Sequence, residues 1–154
     1  MSDIGEHDPA RTYLNSVRAL RVEQERLRLH SEELMTRCAK MTASLTGMPR
    51  GGGDGIEALW ALLADEDRDY VERLRETRAR VAEVEGFIDR TDATDLQKEI
   101  LKLRYLECMD WRTVQKTLRK SGSWYEERQV FEHHGRALNC ARELWEKEHK
   151  EETV

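Results

Sequence analysis

The stretch TDLQKEILKLRYLECMDWRTVQKTLRKSGSWYEERQVFEHHGRAL, residues 94–138, decides the fold. Thr94-x-x-Gln97 has the form of a capping box, in which a hydroxyl and a side-chain amide each take up a backbone group at a helix start. The helix it opens carries Leu96, Ile100, Leu103 and Leu106 on one face, with Tyr105 beside them. Asp110 then caps a second helix that turns Trp111, Val114 and Leu118 inward. After a Ser121-Gly122-Ser123 turn, Ser123-Trp124-Tyr125-Glu126 reads as a further capping box, opening a long helix over 124–147. Its inward stripe is Val130, His134, Ala137, Ala141 and Leu144, with Leu138 and Trp145 close by. Helix, turn, helix at this spacing is a common way of placing side chains in a DNA groove.

Upstream, two matched stripes predict two long helices. Asp8-Pro9 suits a helix start, since Asp accepts from orphan N–H groups and proline fits the first helical position. The first stripe is Tyr13, Val17, Leu20, Gln24, Leu27, Ser31, Leu34, Cys38, Met41 and Leu45. The second, with Asp54 as cap, is Ile56, Trp60, Leu63, Asp67, Tyr70, Leu74, Thr77, Val81, Val84 and Ile88. Alternating steps of three and four make each a coiled-coil seam. Between them lies a glycine-rich loop, Thr46 to Gly53. Lacking a preceding strand and a following Gly-Lys-Ser/Thr, it reads as a connector rather than a phosphate loop.

An antiparallel hairpin follows, with opposite positions summing to 101, Gln24 against Thr77 and Ser31 against Tyr70. Asp67 against Leu34 has no explanation in that register. Leu59, Leu62, Val71 and Phe87 exceed what two helices cover, which predicts a homo-oligomer, a dimer in the first instance. The expected architecture is all-α, with a hairpin scaffold over 1–91 and a three-helix helix-turn-helix domain over 92–154.

Composition agrees with helices whose outer faces are wet, at 38% hydrophobic and 37% charged residues with only 2 prolines. No apolar run of about 18 residues is available to span a bilayer, and residues 1–9 lack the plan of a signal peptide, so a cytoplasmic protein without membrane contact is expected. Cys38, Cys108 and Cys140 are odd in number and far apart, which fits reduced thiols rather than disulfides or a zinc cluster. The net charge of −5 disfavours phosphate binding by the chain as a whole. Locally the sign reverses: from Arg112 to Arg142 seven basic residues face three acidic ones.

The order of Ile100 to Leu106, Trp111 with Val114 and Leu118, Arg128-Gln129-Val130 and Gly135-Arg136-Ala137-Leu138 resembles region four of bacterial sigma factors. It is more similar still to the sigma-like regulators of phages and prophages, the RinA and ArpU type, whose N-terminal hairpin has a loop like Met48-Pro49-Arg50-Gly51-Gly52-Gly53. The resemblance implies sequence-specific binding of double-stranded DNA in late-gene or packaging-gene transcription, with contact to RNA polymerase. It places Trp124, Tyr125, Glu127, Arg128, Gln129 and Glu132 at the groove-facing start of the last helix. Arg128 would then meet guanine, Gln129 adenine, and Glu127 or Glu132 a cytosine amino group. Arg112, Lys116, Arg119, Lys120 and Arg136 would hold phosphates. The chain departs from the sigma pattern in its longer turn from Arg119 to Tyr125 and in His133, where the family carries an apolar residue.

Other chemistries find little purchase. His133 and His134 point about 100 degrees apart on a helix and cannot share one ion. Asp65, Glu66, Asp67 and Asp69 form a wet helix face, and no nucleophile–base pair occurs, so no enzyme, metal or cofactor is expected. Trp111, Phe131 and Trp145 read as core aromatics, while Trp124 and Tyr125 divide between core and groove. The alternative to DNA binding is a protein-interaction module that docks RNA polymerase or another phage protein.

Overall fold

The computed structural model describes residues 8–45 and 53–150, and among them the chain is all-helical. Five helices follow in order: α1 (Pro9–Leu45), α2 (Gly53–Asp89), α3 (Asp95–Leu101), α4 (Trp111–Lys120) and α5 (Glu127–Lys150). Residues 102–106 continue α3 as a π-helical turn. The glycine loop at 46–52 and the side chain of Asp54 lie outside the described residues; α2 itself begins one residue before Asp54.

Local caps explain most boundaries. Asp8 Oδ1 accepts from the Arg11 amide at 3.3 Å, and Pro9 is the first helical residue of α1. At α3 the Gln97 amide donates to Thr94 Oγ1 at 3.2 Å while the Thr94 amide donates to Gln97 Oε1 at 3.0 Å, a complete capping box. Asp110 Oδ1 accepts from the Thr113 amide at 2.7 Å and starts α4.

The start of α5 differs from expectation. Gly122 takes φ +92°, the Gly122 amide donates to Arg119 O at 3.0 Å and the Ser123 amide to Leu118 O at 2.9 Å. These two bonds form a Schellman motif, which commits Ser123 to ending α4. The α5 cap therefore moves to Glu126, whose amide donates to Gln129 Oε1 at 2.9 Å. Trp124 and Tyr125 precede the helix, which spans 127–150 rather than 124–147.

The chain packs as two compact units. One comprises residues 1–19 and 79–154, so the first turns of α1 and the last of α2 group with the C-terminal helices. Its larger core joins Leu14 and Val17 of α1, Val84, Phe87 and Ile88 of α2, Leu101, Tyr105 and Leu106, and Ala137, Leu138 and Ala141 of α5. Phe87 is buried between Tyr13 and Trp145, with ring centroids 5.2 and 6.2 Å away. That position accounts for one of the apolar residues in excess on α2. A smaller core, Ile100, Val114, Leu118 and Val130 with Tyr125 packed against it, holds α3, α4 and the start of α5 together. α3 and the π turn that continues it serve both cores: Ile100 faces one, and Leu101, Tyr105 and Leu106 the other.

The second unit, residues 20–78, contains the remaining parts of α1 and α2 packed antiparallel. Its register departs from the expected sum of 101. His30 Nδ1 lies 3.0 Å from Glu66 Oε2, Leu34 and Cys38 pack with Leu63 and Leu59, and Met41 Cε approaches Gly55. These pairs sum to 96 or 97, about one helical turn from the predicted alignment. The covered residues at the start of α2 are Ile56, Leu59, Leu63 and Glu66, while Trp60 and Asp67 are exposed. Asp67 thus never meets Leu34, and the predicted polar pairs do not form. Gln24 Oε1 and Ser31 Oγ are buried without partners, while Thr77 Oγ1 donates to Arg73 O of its own helix at 2.8 Å.

Candidate nucleic-acid interface

The helix α4 carries four basic residues and no acidic one. Arg112, Lys116, Arg119 and Lys120 recur at spacings of four, three and one, which places them on one face of a 3.6-residue helix. Val114 and Leu118 occupy the opposite face and are completely buried. The core contact thus orients the stripe: all four cations are exposed, and among the described residues none is in an ion pair. Arg112 lies close enough to Asp110 to help hold that carboxyl below its usual range, after the larger effect of the hydrogen bonds from Thr113.

The six residues expected to face bases have different fates. Trp124 is 76% exposed, with the Arg119 guanidinium over its ring at 5.3 Å from the centroid. Tyr125 turns inward: it packs on the small core, meets the His133 ring edge-on at 5.5 Å, and its carbonyl accepts from Gln115 Nε2 at 3.0 Å. The Gln129 amide is occupied as the α5 cap. Glu127, Arg128 and Glu132 are exposed, and Arg128 Nε lies 3.4 Å from Glu132 Oε1. Arg136 is exposed farther along α5.

Phe131, read from sequence as core, is instead 42% exposed. It meets Trp111 edge-on at 5.0 Å and, with Glu127, Arg128 and Glu132, lines a shallow depression on α5. Val130, His134, Ala137, Leu138 and Ala141 are the buried residues of α5, and Phe131, on nearly the same side as Leu138 but two turns nearer the helix start, is not among them.

The two histidines part as their angular separation requires. His134 is buried, 2.9 Å from Tyr105 Oη and edge-on to Trp111 at 4.6 Å. Burial first, then the charges of Arg11, Arg104 and Arg142, push its pKa down to about 4. His133 Nδ1 is buried without a partner on another face of α5. No group of three or more potential metal ligands occurs among the described residues.

One cationic feature escaped the sequence reading. Arg104, on the π turn, lies over Trp111 at 4.7 Å from the ring centroid and donates to Met109 O at 2.9 Å. Burial, followed by the like charge of Arg18, lowers its pKa. Sequence spacing offers no signal for that proximity, because it joins α1 to the π turn through the fold.

No helix among the described residues is long and apolar enough to cross a membrane. Comparison of the chain with protein-family models, curated proteins and solved structures finds no match in any of the three.

Proposed function

We propose that this chain is a sequence-specific DNA-binding transcription regulator of the phage type, with α4 facing phosphates and the start of α5 facing base edges. The observation that supports the reading is the α4 stripe: four exposed cations and no anion on one helix face. Unpaired cations sharing one face repel each other in the free protein, and a phosphate backbone relieves that repulsion while releasing counterions. Arg112, Lys116, Arg119 and Lys120, with Arg136, position the duplex. Arg128 and Glu132 are suited to exchange their mutual ion pair for guanine O6/N7 and a cytosine amino group, and Glu127 lies beside them. Tyr125 and Gln129 leave the reading set, because core packing and the helix cap already engage them.

The role in late-gene or packaging-gene transcription and the contact with RNA polymerase rest on the resemblance to phage regulators. Self-association as a dimer draws support from the exposed apolar residues of 20–78, among them Val22, Leu29, Met35, Trp60 and Leu62. The same residues favour the second reading, a protein-interaction module that does not touch DNA.

A gel-shift assay with a salt titration, using fragments selected from a random DNA pool, separates the two readings. Affinity should fall steeply with salt, and each alanine replacement at Arg112 or Lys116 should lower the slope by about one. Absence of binding at low salt, or an unchanged slope when all four α4 cations are alanine, overturns the DNA reading.

A further inference from the structure

We propose that Trp124 is a stacking platform for an unpaired nucleobase, so that the preferred DNA carries a locally unstacked step. The inference rests on the DNA-binding reading and narrows its ligand. The exposure of Trp124 does not come from a loose segment. Its N-terminal neighbour is tied down by the Ser123 amide bond to Leu118 O at 2.9 Å, and its C-terminal neighbour by the Gln115 bond to the Tyr125 carbonyl at 3.0 Å and by the Tyr125 ring in the core. Between two anchored residues the indole is held out, 76% exposed, whereas tryptophans are highly buried on average.

One ring face is engaged by the Arg119 guanidinium, which leaves the other available. An indole has a single donor and no acceptor, so it carries no pattern with which to read the edge of a paired base. What it offers is an apolar face, and its natural complement is the face of a base. In a uniform duplex that face is covered by the neighbouring base pairs. It becomes available only where a step is kinked, mismatched or opened. Arg119, over the indole, and Lys120, the next residue on α4, are both exposed and supply positive charge for the flanking phosphates.

The test uses the full chain and two labelled duplexes of one bound sequence, fully paired or with a central two-nucleotide mismatch, compared by fluorescence anisotropy. The wild type should prefer the mismatched duplex by roughly tenfold, the scale of one base–aromatic stack. Trp124→Ala should weaken binding of the mismatched duplex about tenfold more than binding of the paired one, abolishing the preference, and Trp124→Phe should retain part of it. A 2-aminopurine placed in the mismatch should be quenched by the wild type and not by Trp124→Ala. Equal affinity of the wild type for both duplexes, or a preference that survives Trp124→Ala, overturns the stacking role and leaves DNA binding standing. Loss of paired-duplex affinity when deoxyuridine replaces thymine, matched by Trp124→Ala, would assign the indole to a thymine methyl instead and likewise overturn it. Binding to neither duplex fails the underlying DNA reading as well.

Discussion

The phenolic oxygen of Tyr105 lies 2.9 Å from Nε2 of His134, joining the π turn after α3 to the middle of α5. The two rings stack at 5.7 Å, and Trp111 closes on the imidazole from α4. The π turn, α4 and α5 thus meet at one neutral imidazole, with Arg11, Arg104 and Arg142 raising the cost of charging it.

That environment predicts a pH dependence of stability. The folded-state pKa of His134 is depressed from 6.5 to about 4, so the unfolded chain binds the proton more readily than the folded one. The stabilisation is complete above 6.5 and is lost progressively as pH falls toward 4. Urea unfolding between those limits should show stability declining with acidity, and His134→Gln should flatten that part of the profile. A profile identical in the variant would refute the assignment.

Two glycines should respond to alanine in opposite directions. Gly122 sits at φ +92° within the Schellman motif, so Gly122→Ala should destabilise by about 1 kcal/mol. Gly135 is inside α5 with open space where a Cβ would go, so Gly135→Ala should stabilise by about 0.5–1 kcal/mol. Thermal melts of the two variants decide the signs.

The two phenylalanines should separate by exposure. Phe87 is enclosed by Tyr13 and Trp145, and Phe87→Ala should cost about 3–5 kcal/mol. Phe131 keeps only its edge contact with Trp111, so Phe131→Ala should cost on the order of 0.5–1.5 kcal/mol. Chemical denaturation that ranked Phe131 at or above Phe87 would contradict the packing.

The register within 20–78 can be checked at Ser31. Its hydroxyl is buried and unpartnered, so Ser31→Ala should raise stability by about 1 kcal/mol. A hydrogen bond to Tyr70, as a register summing to 101 would give, predicts a loss instead. The sign of the change in urea midpoint distinguishes the two.

The caps at Asp8, Thr94 and Asp110 were legible because capping depends on residues three apart, a local relationship. The start of α5 was not, since Ser123 could either open α5 or complete the end of α4, and only the path of the turn through Gly122 selects the second. The hairpin register failed similarly. Trp60 and Asp67 keep the same three-four rhythm as Leu59 and Glu66, and the choice between adjacent phases depends on which residues find partners across the interface. Of the candidate site, the local excess of basic residues was legible as a charge count, whereas their alignment on one face of α4, the inward turn of Tyr125, the capping use of Gln129 and the outward position of Trp124 were not.

Sequence alone therefore determined the helical class, the places where three of the five helices begin and the inward face of α4, because each depends on contacts within a few residues along one helix. Tertiary structure decided the register of α1 on α2, the grouping of 1–19 and 79–91 with the C-terminal helices, and which aromatic side chains are covered. Those outcomes depend on the competition among distant apolar surfaces for burial, a competition settled only when the helices meet.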